Sequence, residues 1–290
     1  MKQALRKELE TFSGSFIIRK LTEPHFDPNW HFHPHFQLFL VVRGTGTRFI
    51  GDSIRPFSEG ELVLLGPDIP HLWRSDPPYF EPHSHLFTEG IVLYFTDDFL
   101  GNVFLQKPEM SALRQLLEHS RRGMEWLGRT RDWATGELKK LLSLPPTFER
   151  VLALLSLLHR LSLSSDYRFI SSQGYTNTHK PSETNRMQAV HDYVLARYTS
   201  TIHLEEVAAL VGMSPSAFCR YFKARANKTF SEFVGEVRVG QACRLLQEDN
   251  LNITQISYEC GFRTLSNFNR QFREITGQTP SEYKRRYRDV

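Results

Sequence analysis

Histidines at alternate positions near the N-terminus are the first residues whose types and spacing could do chemistry. His31, His33 and His35 are followed by Gln37, and in an extended strand these four side chains would lie on one face. A further histidine, His71, follows a predicted strand and a proline-containing turn. Imidazole binds transition metals and exchanges hydrogen bonds with polar ligands, so this region predicts a binding site.

Three interpretations of these histidines remain open. Three imidazoles could hold a divalent metal ion, they could line a pocket for a small polar molecule, or they could be satisfied structurally inside a β-sheet domain. Gln37 is a weaker metal ligand than a carboxylate, so we favour the pocket and predict no metal, no cofactor and no catalytic residue. The predicted ligand-binding residues are His31, His33, Gln37, Arg48, His71 and Trp73.

A second group of candidate residues lies in the C-terminal third, where arginines recur on the polar faces of two predicted helices. The planar guanidinium groups of Arg220 and Arg270 can each donate two hydrogen bonds to one guanine edge or to a phosphate. The predicted DNA-contacting residues are Ser216, Cys219, Arg220, Lys223, Ser266, Asn267, Arg270 and Arg273.

A repeated helical unit positions these arginines. Leu204–Met213 aligns with Ile253–Phe262 at an offset of 49 residues, and beyond the glycine of each copy the offset is 50, so that Arg220 aligns with Arg270. Apolar residues at helical spacing, a glycine and a second helix predict a helix-turn-helix in each copy. A plain four-helix packing module is the alternative, but an arginine at the same outward position in both copies favours DNA binding.

The segment between the two copies predicts a long helix over Ser231–Gln247, because its apolar residues keep a helical stripe. Seventeen residues would make a rod of roughly 25 Å. Together with the width of the flanking units, such a rod could hold two recognition helices about 34 Å apart, which is one turn of B-DNA. One chain would then contact two adjacent segments of the major groove.

The N-terminal half has a different pattern. Residues 13–95 form short β-branched and aromatic runs separated by turn residues, including a predicted hairpin turn at Gly44–Gly46, which is typical of an antiparallel barrel or sandwich. A leucine-rich helical stretch over 151–161 needs a partner surface. That surface is either its own domain or a second chain, and we favour a homodimer contact. The predicted divisions are a ligand-sensing domain at 1–105, a helical dimerisation region at 106–165, a linker at 166–184 and a DNA-binding domain at 185–290.

Composition indicates an ordinary globular protein. The 290 residues are 40% hydrophobic and 23% charged, with a formal net charge of +4, and so small an excess is weak support for nucleic-acid binding. We predict no membrane-spanning segment, because no run of eighteen apolar residues occurs. The charged first ten residues do not resemble a secretory signal, and three cysteines without a C-x-x-C pattern favour reduced thiols. We therefore expect a cytoplasmic protein.

Motifs in both halves resemble those of the AraC/XylS family of bacterial transcription regulators. The C-terminal resemblance rests on GF at 261–262, NFNRQFR at 267–273 and GQTPSEY at 277–283. The N-terminal half is similar to the cupin sensor domain of that family, through HFHPHFQL at 31–38, GTGTRFIGD at 44–52 and LGPDIPH at 65–71. The resemblance implies an α+β protein, with an N-terminal antiparallel β-barrel (cupin or jelly roll) and a C-terminal all-α tandem helix-turn-helix domain.

The resemblance also implies a function and partners. Members of the family bind double-stranded DNA, dimerise, frequently contact RNA polymerase and respond to a small effector, often a sugar. By motif position, the base-reading residues would be Ser216, Cys219, Arg220, Leu265, Ser266, Asn267 and Arg270. In metal-binding cupins the equivalents of His31, His33, Gln37 and His71 would be ligands. The alternative function is therefore a cupin metalloenzyme, a dioxygenase or isomerase with a helical appendage, which leaves the tandem repeat unexplained.

Overall fold

The computed structural model describes residues 14–101, 103–175, 184–248 and 250–288. By their contacts, the described residues divide into two units, one of 14–46 with 57–175 and one of 47–56 with 184–288. Within the described residues no helix is both long and apolar enough to cross a bilayer.

The strands of the described chain are β1 (Phe16–Glu23), β2 (Phe36–Arg43), β3 (Gly46–Ile50), β4 (Ser53–Phe57), β5 (Leu62–Leu65), β6 (His71–Ser75), β7 (Thr88–Phe95), β8 (Met124–Trp126) and β9 (Tyr167–Phe169). The helices are α1 (Ser111–His119), α2 (Gly128–Ser143), α3 (Phe148–Ser162), α4 (Thr184–Arg197), α5 (Leu204–Leu210), α6 (Pro215–Ala226), α7 (Phe230–Glu248), α8 (Ile253–Glu259), α9 (Leu265–Thr276) and α10 (Pro280–Arg288).

The main sheet of the N-terminal unit is antiparallel, with the strand order β1-β7-β2-β5-β8-β9. β2 lies between β5 and β7, with Gln37 opposite Leu65 on one side and opposite Tyr94 on the other. This central place explains why β2 is buried from its first residue to Val41, since strands covered on both faces read as continuous apolar runs. A second sheet has the order β4-β3-β6.

The leucine-rich helix α3 packs inside its own unit. Leu154, Leu158 and Leu161 are fully buried in a core that also includes Leu138 of α2 and Trp126 of β8. Our expectation that this stripe forms a homodimer contact is therefore wrong for these leucines. An apolar stripe along a helix predicts that this face of the helix is buried. It does not indicate whether the surface that buries it belongs to the same chain or to a second one.

The segment that we expected to be a linker begins with a strand. β9 pairs with β8, with Arg168 opposite Glu125, and the guanidinium of Arg168 donates to both carboxylate oxygens of Glu125, at 2.7 and 2.9 Å. This two-point ion pair and the flanking aromatic residues hold residues 167–169 on the sheet edge. The later part of the predicted linker, residues 176–183, lies outside the described residues.

The C-terminal unit is organised around α7, whose nineteen residues make a rod of about 28 Å. Near its start, Phe230 packs against Phe222 of α6 with ring centroids 5.4 Å apart. Further along, Val239 and Leu246 belong to a core cluster with residues of α8 and α9. The predicted arrangement of two helical modules joined by one long helix is thus present, and α7 begins and ends one residue beyond the predicted bounds.

Candidate functional site

The first helix-turn-helix is formed by α5 and α6, and its turn follows local sequence chemistry. Gly212 has a φ of 69°, which lies in the left-handed region that favours glycine. The Oγ of Ser214 accepts a hydrogen bond from the N–H of Ala217 at 3.4 Å, and Pro215 takes the first helical position, where no N–H is needed. α6 ends at Ala226, and the residue that follows it, Asn227, is also left-handed.

The second helix-turn-helix, formed by α8 and α9, repeats this turn with tighter packing. Gly261 has a φ of 80°, and a Cβ at this position would lie 2.3 Å from the carbonyl oxygen of Tyr198. The Oγ1 of Thr264 accepts from the N–H of Asn267 at 3.3 Å and begins α9. At position 261 only glycine satisfies both the left-handed backbone conformation and the close approach of the backbone at Tyr198.

The structure brings the predicted DNA-contacting residues together on one face of each recognition helix, α6 and α9. On both helices two phenylalanines four residues apart are buried, Phe218 with Phe222 and Phe268 with Phe272, which turns the opposite face to solvent. The exposed predicted residues are Ser216, Cys219, Arg220, Lys223, Ser266, Arg270 and Arg273, and the half-buried one is Asn267.

The recognition face of α9 carries a hydrogen-bonded network. Arg270 Nη1 lies 3.0 Å from both carboxylate oxygens of Glu274, and Arg270 Nη2 donates to Asn267 Oδ1 at 3.0 Å. Gln271 also donates to Asn267 Oδ1 at 3.0 Å. Asn267 therefore links Arg270 to Gln271, which is half-buried. This link restricts where the guanidinium of Arg270 can lie.

A cleft of about 520 Å³ separates the two helix-turn-helix copies and is lined by residues of both, including Cys219 of α6 and Arg263 before α9. Arg238 of α7 also lines the cleft and donates to the carbonyl oxygens of Tyr198 and Ser200, at 2.8 Å each. These two arginines place positive charge between the recognition helices, where a DNA phosphate would be attracted. Our sequence reasoning did not select them, because neither lies on a predicted recognition face.

The buried histidines of the N-terminal unit form one cluster, although not through the predicted strand. β2 begins only at Phe36, and His31 is held by an isolated antiparallel bridge to His71. The expectation of one strand face from His31 to Gln37 is therefore wrong, because Pro34 lacks the N–H needed for a continuous ladder. One ring nitrogen each of His31, His33 and His71 nevertheless lies within 4.8 Å of the others.

The histidine cluster is buried, with His33 and His71 each 1% exposed. Burial is the main cause that lowers the pKa of His33 to about 4, since a buried site disfavours the charged imidazole. The ring of Tyr94 packs edge-on against His33 at 5.3 Å, and burial raises the pKa of its phenol to about 12. Tyr94 reaches the site through its pairing with Gln37, which the sequence alone does not reveal.

Two further predicted ligand-binding residues are buried. Trp73 is 4% exposed, its ring lies 5.7 Å from that of His71, and its indole N–H donates to Glu61 Oε1 at 3.1 Å. Arg48 lies on β3 and is 1% exposed. The structure thus brings Trp73 to the histidine cluster and gives its indole a partner that we did not predict.

Comparison with known proteins supports the division of roles between the two units. A model described as a helix-turn-helix domain matches residues 207–286, and a model described as an AraC-like ligand-binding domain matches residues 13–143. The chain belongs to the AraC family of transcription regulators. The predicted family and the predicted α+β class are thereby confirmed.

Individual relatives of this AraC-family chain are distant in sequence but similar in length. The uncharacterized HTH-type transcriptional regulator YdeC of Bacillus subtilis is 22% identical over 270 residues, which cover 88% of this chain and 85% of YdeC. The HTH-type transcriptional activator RhaR of Escherichia coli is 24% identical over 254 residues, which cover 88% of this chain and 86% of RhaR.

Two solved structures are weakly similar to this chain. The DNA-binding domain of AdpA in complex with a target DNA is 28% identical, covers 34% of this chain and 90% of that chain, and has a TM-score of 0.33. Fatty-acid-bound ToxT of Vibrio cholerae is 16% identical, covers 96% of this chain and 97% of that chain, and has a TM-score of 0.35. Because both TM-scores are below 0.5, neither overlay adds to the assignment.

Proposed function

We propose that this AraC-family regulator binds specific DNA sequences by placing α6 and α9 in adjacent segments of the major groove. The observation that carries the proposal is the pair of exposed polar faces, each with an arginine at the same position of the repeat. In this arrangement Arg220 and Arg270 contact guanine edges, and Asn267 contacts adenine or a phosphate. Lys223 and Arg273 contact the DNA backbone.

The proposal extends to a small effector that binds in the N-terminal unit at His31, His33, Gln37, His71 and Trp73. Arg48, which we also predicted, belongs to the other unit and is not part of this proposal. Buried imidazoles beside an indole ring suit a polar molecule with one apolar face, and a sugar or related metabolite is such a molecule. Effector binding changes the populations of two protein states that differ in DNA affinity. The difference between the effector's affinities for these two states sets the upper limit of that change.

Two protein partners belong to the same proposal. A homodimer would let four recognition helices contact one operator, and RNA polymerase would receive the regulatory output. The buried leucines of α3 do not supply the dimer contact, but Phe148 and Leu152 on the same helix are 70% and 46% exposed. Apolar side chains this exposed are suited to covering by a second chain.

The DNA-binding part is tested with sheared genomic DNA captured on the purified chain and re-bound in a mobility-shift assay. We expect a small set of fragments that survives competition with excess bulk DNA, since specific affinity exceeds non-specific affinity by roughly 10³-fold or more. The double variant Arg220→Ala/Arg270→Ala should lose this selectivity and keep its weak, salt-sensitive binding. Equal selectivity in the double variant would contradict the proposal.

The effector part is tested by measuring thermal unfolding of the chain against a panel of sugars and sugar acids. A ligand that binds only the folded unit raises the melting temperature by mass action. The shift should disappear in Trp73→Leu and remain in Cys219→Ser, which changes an exposed residue on α6. A panel in which no compound shifts the melting temperature would count against a sugar-like effector and leave the DNA-binding proposal intact.

A further inference from the structure

The turns of the two helix-turn-helix copies differ in length by one residue. Met213 and Phe262 are 49 residues apart, whereas Ser214 and Thr264, the N-cap residues of the two recognition helices, are 50 apart. The extra residue of the second turn is therefore Arg263. The roles proposed above for the recognition helices do not account for this residue.

Arg263 contacts the other copy. Its Nη2 donates to Oγ1 of Thr201 at 3.1 Å. Thr201 lies in the loop of residues 198–203, which joins α4 to α5, the first helix of the first copy. We call this loop the entry loop. Both side chains are exposed, and one exposed hydrogen bond contributes little, so the contact depends on what else holds the entry loop.

The backbone of the entry loop packs directly against the second turn. A Cβ at Gly261 would lie 2.3 Å from the carbonyl oxygen of Tyr198 and 2.9 Å from the Cα of Thr199. Gly261 and Arg263 belong to the same turn, so the backbone contact and the hydrogen bond hold the same two segments together. The two copies therefore touch each other without α7 between them.

A third contact ties the entry loop to α7. The guanidinium of Arg238 donates through Nε to the carbonyl oxygen of Tyr198 and through Nη2 to that of Ser200, at 2.8 Å each. Two bonds from one planar, charged group fix both the position and the orientation of the loop backbone. Arg238 is half-buried, and burial, followed by the charge of Arg263, lowers the pKa of its guanidinium. Both arginines thus act on the same loop.

We propose that the entry loop fixes the orientation of the two recognition helices relative to each other, with Arg238 and Arg263 as positioning residues. A single connecting helix leaves small rotations of either copy about its axis unopposed by any covalent link. The contact between the entry loop and the second turn opposes such rotations. A chain held in this way accepts one spacing between its two DNA segments. This proposal rests on the DNA-binding mode proposed above and adds the spacing that the chain selects.

The test compares a selected duplex with two duplexes whose segments are moved apart or together by one base pair. Each base pair turns one segment by about 34–36° relative to the other and shifts it by about 3.4 Å. The full-length wild-type chain should bind both altered duplexes roughly tenfold or more weakly, because one recognition helix loses its base contacts. Equal wild-type affinity for the three duplexes would overturn the proposal.

Variants separate positioning from a contact with DNA. Thr201→Val removes the hydrogen bond to Arg263 and keeps every positive charge. Arg238→Lys also keeps the charge, but an ammonium lacks the planar fork that donates to both carbonyl oxygens. Arg238→Lys should reduce the spacing penalty to about threefold or less, and Thr201→Val should reduce it by a smaller factor. Both should keep the preference for individual bases. Arg285→Ala, which removes an exposed charge on α10, should keep the wild-type penalty. A wild-type penalty in both folded variants would overturn the proposal.

A measurement without DNA distinguishes failure of this proposal from failure of the proposed function. Spin labels are attached at Cys219 and in the variant Asn269→Cys, at equivalent exposed positions of α6 and α9, while Cys243 and Cys260 are buried. Pulsed electron paramagnetic resonance measures the distribution of distances between the labels. Arg238→Lys should broaden it by about 3 Å or more, on the order of one base-pair rise.

The two experiments fail in different ways. Equal widths of the distance distribution with and without Arg238→Lys would overturn the positioning role, even in a chain that binds DNA selectively. A broadened distribution in a chain whose wild type binds no DNA selectively would count against the proposed function and leave the positioning role intact.

Discussion

Replacement of Arg270 by alanine tests the proposed recognition face of α9 most sharply. Arg270 is exposed, and in the free protein its guanidinium is ion-paired with Glu274 at 3.0 Å and bonded to Asn267. To contact a guanine edge, the guanidinium must leave Glu274 while the bond to Asn267 limits how far it moves. The Arg270→Ala variant removes the base contact and the ion pair together, without changing a buried residue.

The size of the effect follows from these two contributions. A bidentate contact with a guanine edge is worth about 1–3 kcal/mol. Release from the exposed pair with Glu274 costs the wild-type protein about 0.3–0.5 kcal/mol. Arg270→Ala should therefore weaken binding to a selected site by about 0.5–2.7 kcal/mol, which is roughly 2- to 100-fold in the dissociation constant.

The assay is a fluorescence-anisotropy titration of a selected DNA site and of its variants at the guanine in question. Arg285→Ala is the matched control, because it removes one exposed positive charge from α10, outside both recognition helices. Both variants should show similar changes in salt dependence, but only Arg270→Ala should lose the preference for guanine. We also expect Arg270→Ala to cost at least as much as Arg220→Ala. If Arg270→Ala behaves like Arg285→Ala, the assignment of α9 is wrong.

Two further predictions concern stability and thiol reactivity. Gly261→Ala should lower the free energy of unfolding, measured by urea denaturation, by more than Gly212→Ala does. Both variants force a left-handed alanine, at a cost of roughly 1–2 kcal/mol, but only the Cβ at 261 would lie 2.3 Å from a backbone carbonyl oxygen. Equal losses would contradict this reasoning. Alkylation at roughly pH 8 should modify Cys219 rapidly and the other two thiols slowly, because burial raises the pKa of Cys243 and of Cys260 to about 12. Mass spectrometry of the labelled protein identifies the modified thiol. Labelling of either buried thiol in the native state at the rate of Cys219 would refute the prediction.

The helix-turn-helix unit was predictable because its determinants are local. Gly212 and Gly261 mark the turns, Ser214 begins the first recognition helix, and the phenylalanines four residues apart define the buried faces. Each of these signals acts within one or two helical turns. The 49- and 50-residue offsets then required two copies of the same structure.

Strand pairing was not predictable, because it depends on residues distant in sequence. The glycines at Gly44–Gly46 predict a hairpin between β2 and β3, but in the described chain β2 pairs with β5 and β7, and β3 lies in the other sheet. A Cβ at Gly46 would lie 2.1 Å from the carbonyl oxygen of Arg74. The glycine is thus required by a close approach of distant backbone and not by a tight turn.

The candidate effector site was predictable in its residue types and not in its geometry. The histidine spacing indicated a binding site, but Pro34 interrupts the strand, and His71 joins the cluster through a bridge to His31. Tyr94 is placed by its pairing with Gln37.

The most direct test of the central claim, DNA recognition by two helices of one chain, is a selection of bound sequences from random duplex DNA. We predict enrichment of a site with two specified segments about 10 base pairs apart, centre to centre, on one face of the duplex. In the same selection with Arg270→Ala, one segment should lose its sequence preference and the other should keep it. Enrichment of no sequence, or of a single segment unaffected by both Arg220→Ala and Arg270→Ala, would contradict the account.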